Sequence, residues 1–254
     1  MAVFGIMMVK DEADIVASTV GHLLTQVDHV IVADNGSIDG TREILAELDV
    51  EVIDDPDPAY YQSAKMTRLA HLAADQGAEW VVPADADEVW SCPVDHDIAT
   101  HLRGLGPQWL VVAADLYDHV ATGIDPDEVD PVKRIGWRRT EPAPLRKVAC
   151  RTRPDLVIAQ GNHGASYNGG ATIRTGLQVR HFPYRSAEQF VSKARNGAAA
   201  YAATDLPFSE GQHWRQYGAL LDAHGPEVLH DVFRQWFWVA DPTIDHGLIF
   251  DPVP

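Results

Sequence analysis

The first ninety residues alternate between two kinds of segment, and no other feature constrains the fold as strongly. Short apolar, β-branched runs, "VFGIMMV" (3–9), "HVIVAD" (29–34), "VEVID" (50–54) and "EWVVPAD" (79–85), are separated by longer stretches with a helical period. In "DEADIVASTVGHLLTQV" the apolar positions are Ile15, Val16, Val20, Leu23 and Leu24. "TREILAEL" follows the turn "NGSIDG" with Asp39 or Thr41 as its cap, and "AYYQSAKMTRLAHLAADQG" closes at Gly77. Strands alternating with helices predict right-handed βαβ units and a parallel sheet covered on both faces. Such sheets bind ligands at the carboxyl ends of their strands. Val9-Lys10, Asp34-Asn35 and Asp85 to Asp87 all fall at those ends. Three polar clusters, distant in sequence, are therefore expected on one rim.

The third cluster sits in "WVVPADADEVW" (80–90). Carboxylates crowded where a strand leaves a sheet repel one another unless a cation is present. In an extended strand Asp85 and Asp87 point to the same face. Two hard oxygen ligands on one face suit Mg2+ or Mn2+. A solvated acidic turn is the plainer reading of an isolated D-x-D.

Charge narrows the partners. With 37 acidic residues against 20 Lys+Arg, the formal net charge is -17. Such a chain repels nucleic acid and anionic membranes, so neither is expected as a non-specific partner. An anionic substrate would need a local cation or a basic cluster. Cys92 and Cys150 form neither a disulfide framework nor a CxxC zinc motif. "MAVFGIMMVKDEADIV" lacks a signal peptide's apolar region, and no stretch reaches the ~18 apolar residues of a membrane span, so a cytoplasmic protein is the default.

The second half is less regular. "QWLVVAADLYDHV", "RKVACRT" and "LQVRHFPY" read as strands, and residues 122–147, rich in Pro, Gly and charge, as a long loop. "SAEQFVSKARNGAAAYAA" reads as a helix capped by Ser186, with Gln189 completing a capping box. The tail from Trp214 to Trp238 is helical and aromatic. No internal repeat or clean linker interrupts the chain, so residues 1–254 read as one domain.

"VKDEADIV…VDHVIVADNGSIDGTREIL" followed by "WVVPADADEVW" resembles the nucleotide-binding half of GT-A glycosyltransferases of the family-two-like kind. "RHFPYRSAEQFVSKARNG" is similar to a later part of some of these proteins. The resemblance implies a GT-A-like (Rossmann-like) αβα sandwich with a mostly parallel central sheet and a helical C-terminal tail. Residues 1–98 would then be the nucleotide-sugar-binding half, 99–197 the acceptor half and 198–254 a helical extension. It also implies a nucleotide-diphosphate sugar as donor, with UDP first and GDP or dTDP as alternatives. A divalent cation, Mn2+ or Mg2+, would bridge D-x-D to the diphosphate. By position, Asp34 would meet the nucleobase and Lys65 would lie near the nucleotide. Asp85 would be near the ribose or metal, Asp87 would be the main metal ligand, and Val9 and Glu12 would line the base pocket. The plainer alternatives are an Asx turn at Asp34-Asn35, a solvent-facing Lys65, and a Glu12 that only favours a helix N-terminus.

Two aspartates rarely saturate a divalent ion, and this family often adds a histidine. His181 ends the strand "LQVRHF" and is the candidate third ligand; Arg185, four residues on, could grip the diphosphate. The Gly-rich loop "QGNHGASYNGG" (160–170) offers His163 as a base, an acceptor contact or the metal ligand in place of His181. An inverting transfer needs a general base. The family's usual E-D type motif is missing, which leaves Asp115, Asp118 and His163 as candidates. The aromatic tail offers an acceptor platform or, in a homodimer, a subunit interface, although aromatics around helices read first as core. "RIGWRR" (134–139) is a basic island for an anionic acceptor or for nearby acids. A sugar-nucleotidyltransferase would want a Gly-rich, Arg-containing loop after the first strand, which "MMVKDEADI" lacks. A non-catalytic binding protein would keep the fold and lose metal dependence.

Overall fold

The structure, a computed structural model, describes residues 1–245 and 247–253. They form two compact units. The first comprises Met1–Pro56, Gln62–Asp118 and Glu141–His181; the second comprises Asp57–Tyr61, His119–Thr140 and Phe182–Pro254.

The first unit is built on one eight-stranded sheet. Its strands are β1 (Ala2–Val9), β2 (His29–Asp34), β3 (Glu51–Asp54), β4 (Ala78–Asp85), β5 (Glu88–Ser91), β6 (Val111–Asp118), β7 (Lys147–Arg151) and β8 (Ile173–His181). Across the sheet the order is β3-β2-β1-β4-β7-β6-β8-β5. The pairs among β3, β2, β1 and β4 are parallel, as is β6 with β8; β7 runs antiparallel to both its neighbours, and the edge strand β5 runs antiparallel to β8. The fold is thus α/β with a mostly parallel central sheet.

Period-two alternation sends successive side chains of each strand to opposite faces. Val3, Met7 and Val9 of β1 join one apolar cluster with α1 (Val16–Leu24), α2 (Thr41–Ala46) and α4 (Ile98–Arg103). Phe4 and Ile6 join the other, with Met66, Leu69, Ala70 and Ala73 of α3 (Gln62–Asp75). Both faces are dry, which is why the strands read as continuous apolar runs. The register puts Val9 beside Asp34 and Met8 beside Asp85, so the three polar clusters do share one rim.

Where the chain departs from a regular βαβ reading, the reasons are local. Glu88 to Ser91 is a strand because the chain turns at Ala86-Asp87 and crosses to pair with β8. The stretch 122–147 is more ordered than a loop: it holds α5 (Pro131–Arg134), capped by the Asp130 side chain, and the strand Trp137–Arg139. Three further helices, α6 (Ala187–Ala202), α7 (Gln212–His224) and α8 (Pro226–Trp236), complete the second unit. Ser186 caps α6 by accepting from the Gln189 N–H, while the Gln189 side chain reaches back to the N–H of Arg185 instead of Ser186. The aromatic tail is partly core: Phe190 packs edge-on against Tyr184, Tyr217 and Phe237, whereas Trp236 is 65% exposed. The basic island is spent locally, with Arg138 paired to Asp251 at 2.6 Å and Arg134 donating to the Glu128 carbonyl. Among the described residues no helix is long and apolar enough to cross a membrane.

Candidate active site

The loops after β1 and β2 are knitted together. Lys10 donates to the carbonyls of Asn35 and Gly36, the Asp11 carboxylate accepts from the Ile38 N–H, and Glu12 N–H donates to Thr41 Oγ1 at 2.8 Å. Asp39 accepts from both the N–H and the hydroxyl of Thr41, and from the Ala13 N–H. Asp39 therefore ties two loops as well as the start of α2. The Val9 side chain is core, and its carbonyl accepts from Asn35 N–H at 2.9 Å. Asp34 is buried; one carboxylate oxygen accepts from Ser37 N–H and the other from Arg42. The carboxylate thus bonds three residues on, past the Gly36 of the expected Asx turn, and Arg42, which also pairs with Asp54 at 2.6 Å, is a cation the sequence reading missed. Lys65 is not solvent-facing: it is buried and paired with the buried Asp55 at 2.6 Å.

The three acids at the end of β4 divide between two neighbours, Lys147 and His181. The same-face expectation for Asp85 and Asp87 fails because the strand ends at Asp85 and a turn intervenes. That turn is pinned by the buried Thr19 hydroxyl of α1, which donates to the Ala86 carbonyl at 2.7 Å. Asp85 accepts from Gln62 and Asn162 on one oxygen, each at 3.0 Å, and from Lys147 at 2.5 Å on the other. Glu88 is fully buried; it accepts from the Asp85 N–H and the Trp90 indole, and lies 2.8 Å from the Lys147 ammonium. Burial pushes the Glu88 carboxyl upward, and the nearby Lys147 charge opposes that. For Lys147 burial pulls the ammonium down, but Asp85 and Glu88 outweigh it and hold it charged. Lys147, Gln62 and Asn162 were not singled out from the sequence. The only signal was a lysine opening an apolar strand, "KVACR".

Asp87 turns away from this group. It is buried, and its Oδ1 lies 3.6 Å from Nε2 of His181. The other ring nitrogen, Nδ1, bonds Asp118 Oδ1 at 2.7 Å. Burial alone lowers the His181 pKa, but Asp87 and Asp118 outweigh it and raise it to about 10. The sign follows from linkage. A histidine raised in the folded state stabilises fully below its unfolded pKa of about 6.5, and that stabilisation disappears as pH rises through about 10. Metal-free protein is expected to lose thermal stability across that window, and His181→Gln to flatten the loss; a wild-type melting curve independent of pH there would contradict the pairing.

The loop holding His163 closes over Asp85. Gly161 N–H donates to Gln62 Oε1 at 2.7 Å, its carbonyl accepts from Lys147, and Asn162 reaches Asp85. Gly161 has φ 73, and a Cβ there would come 2.5 Å from the His163 ring, so only glycine lets the imidazole lie against the turn. His163 Nδ1 bonds the Arg146 carbonyl at 2.9 Å. Burial lowers its pKa, and the Lys147 charge pushes the same way, so the ring is neutral at pH 7 with Nε2 as acceptor. Of the other base candidates, Asp115 pairs with Arg146 at 2.8 Å and Asp118 holds His181. Arg185 lies in the second unit, buried, with its guanidinium donating to the Phe182 carbonyl.

The mostly parallel sheet with acids and a carboxylate-flanked histidine at its carboxyl rim, together with the family match, places the chain among nucleotide-sugar glycosyltransferases of the GT-A class. The chain belongs to glycosyl transferase family 2, whose pattern matches residues 6–143, more than half of its length. No curated protein matches it. Solved structures of similar fold include a mannosyltransferase from Pyrobaculum calidifontis in complex with GDP-Man and Mn2+, at 17% identity over 92% of this chain and 74% of that chain, TM-score 0.46. Another is glucosyl-3-phosphoglycerate synthase from Mycobacterium tuberculosis in complex with Mn2+, UDP and phosphoglyceric acid, at 13% identity over 81% of this chain and 79% of that chain, TM-score 0.43. Mannosyl-3-phosphoglycerate synthase from Rubrobacter xylanophilus is similar at 16% identity over 87% and 76%, TM-score 0.43.

Proposed function

We propose that this enzyme transfers a sugar, with inversion, from a nucleotide-diphosphate sugar to an acceptor hydroxyl, and that it depends on a divalent cation held by Asp87 and His181. The observation that carries the reading is the Asp87–His181–Asp118 row. A neutral His181 donating through Nδ1 to Asp118 would aim the Nε2 lone pair at the Asp87 carboxylate 3.6 Å away, a repulsive arrangement. Either a proton or a cation between them relieves it, and two buried ligands with one oriented from behind form a fitting donor set. Imidazole favours Mn2+ over Mg2+. When bound, the cation neutralises diphosphate charge and so stabilises the departing nucleoside diphosphate. Asp85 takes a different part: both its oxygens are engaged by Lys147, Gln62 and Asn162, so a cation there would have to displace a buried ammonium. Asp34, Glu12 and the Val9 backbone line the nucleoside side of the rim, and Lys65 braces it through Asp55.

His163 is the base in this reading. Its neutral ring holds a proton at Nδ1 against the Arg146 carbonyl and accepts the acceptor's hydroxyl proton at Nε2. His163→Ala should slow turnover by about 10²–10⁴-fold with donor affinity nearly kept. Asp118→Asn should instead weaken Mn2+ by ~10–100-fold, with turnover recovered at saturating metal. If saturating Mn2+ leaves Asp118→Asn inactive, Asp118 is the base and His163 is not. The experiment for the whole proposal is calorimetric binding of UDP, GDP and dTDP with and without Mn2+, on wild type and Asp87→Ala. Nucleotide binding that ignores both the metal and the substitution would sink it.

A further inference from the structure

At the opposite end of β5 from Glu88 lies a second group of ligating side chains. Cys92 follows the strand, Asp95 lies in the next loop and His101 is on α4; one ligand atom from each lies within 4.8 Å of the others. Ser91 pairs with Gln178 while Glu88 pairs with His181, so β5 runs away from the rim just described. Four residue steps along the strand take the chain from Glu88 to Cys92, about 13 Å.

His101 is 5% exposed, and its Nδ1 lies 2.6 Å from Asp95 Oδ2. Its Nε2 is buried with no hydrogen-bond partner, a costly state for an imidazole nitrogen. Cys92 Sγ, also buried, contacts the Gly176 carbonyl at 3.8 Å and the backbone N–H groups of Val94 and Asp95. Gly176 sits at a register shift in β8 with φ 152, and a Cβ there would come 3.1 Å from His101 Nε2. The bulge therefore keeps open space beside the imidazole. The Asp95 side chain is 41% exposed, which gives an ion a route in from solvent.

We infer that Cys92 Sγ and His101 Nε2 hold a zinc-like divalent cation, with Asp95 orienting the imidazole through Nδ1, at a site separate from the sugar-transfer site. Thiolate sulfur and imidazole nitrogen are a set that selects Zn2+ over Mn2+, with water completing a tetrahedron. Binding exchanges the Cys92 thiol proton for the cation. The ion ties the far end of an edge strand to α4, and the near end of that strand carries Glu88, next to Asp87. The sequence hid this site because its ligands follow no CxxC spacing.

The test uses Co2+ as a spectroscopic probe on the full chain, stripped by chelator. Folded wild type should develop a thiolate-to-cobalt charge-transfer band with one equivalent of Co2+. The band should persist in Asp87→Ala and vanish in Cys92→Ser. His101→Gln and Asp95→Asn should each bind the thiolate-coordinated Co2+ at least ~10-fold more weakly. No band in folded wild type, a band that survives Cys92→Ser, or unchanged affinity in either of the other variants overturns the site. Should Cys92→Ser fail to fold by circular dichroism, the partly exposed Asp95→Asn decides alone: weakened binding supports the site and unchanged binding overturns it.

Discussion

Asp87→Ala is expected to abolish sugar transfer while leaving the fold intact. Asp87 lies in the turn between β4 and β5, outside both strands, and that turn is pinned by Thr19 through Ala86. Its loss leaves His181 facing an empty space on one side and Asp118 on the other. One buried ligand cannot retain a divalent cation at micromolar concentrations. On the proposed metal assignment the leaving diphosphate would then lack charge neutralisation, which is worth several kcal/mol, so turnover should fall by ~10³-fold or more. The His181 pKa should fall as well, because the charge of Asp87 is one of the causes raising it. Steady-state kinetics with a Mn2+ titration checks the first part, and proton NMR of the imidazole the second. Turnover within a factor of ten of wild type would remove Asp87 from the site.

Lys147→Met should damage the fold more than any other single change at the rim. Lys147 is the shared cation of Asp85 and Glu88, and Glu88 has no exposed surface through which water could replace it. Breaking a buried pair by removing one partner costs about 3–5 kcal/mol, because the remaining charge is stranded. The pH sign is the same as that of His181, because in both cases the folded state binds the extra proton. Without its cation Glu88 titrates at a still higher pKa than burial already gives it, so the folded variant binds more protons than the unfolded chain. Its deficit should therefore shrink as pH falls toward the carboxylate range. Adding Glu88→Gln should recover part of the loss at neutral pH. Urea denaturation of the single and double variants across pH measures this. A single variant as stable as wild type at pH 7 would mean that the ammonium is not what holds the two acids together.

Much of this was legible in the residues themselves. Apolar runs of strand length, amphipathic segments of helix length and the turns between them determine β1, α1, β2, α2, β3, α3 and β4, because a strand buried on both faces must be apolar throughout. Parallel pairing then forces the polar ends of β1, β2 and β4 onto one rim, whatever the details of packing. The capping residue Ser186 was legible for the same reason, its bond spanning only three residues, whereas Gly40 is the N-cap of α2 and Asp39 accepts the Thr41 N–H from one position further out.

What the sequence could not determine is which way each acid faces. Asp85, Ala86 and Asp87 read as one alternating strand, yet a turn held by Thr19, 67 residues away, separates them. The partner of Asp85 and Glu88 comes from β7, and that of Asp87 from β8. Only tertiary structure brings Lys147 between two carboxylates, or sets Asp118 behind His181. The reason is physical: local pattern depends on burial along one segment, whereas a charge buried without a partner is so costly that its position is decided by whichever distant strand delivers the opposite charge.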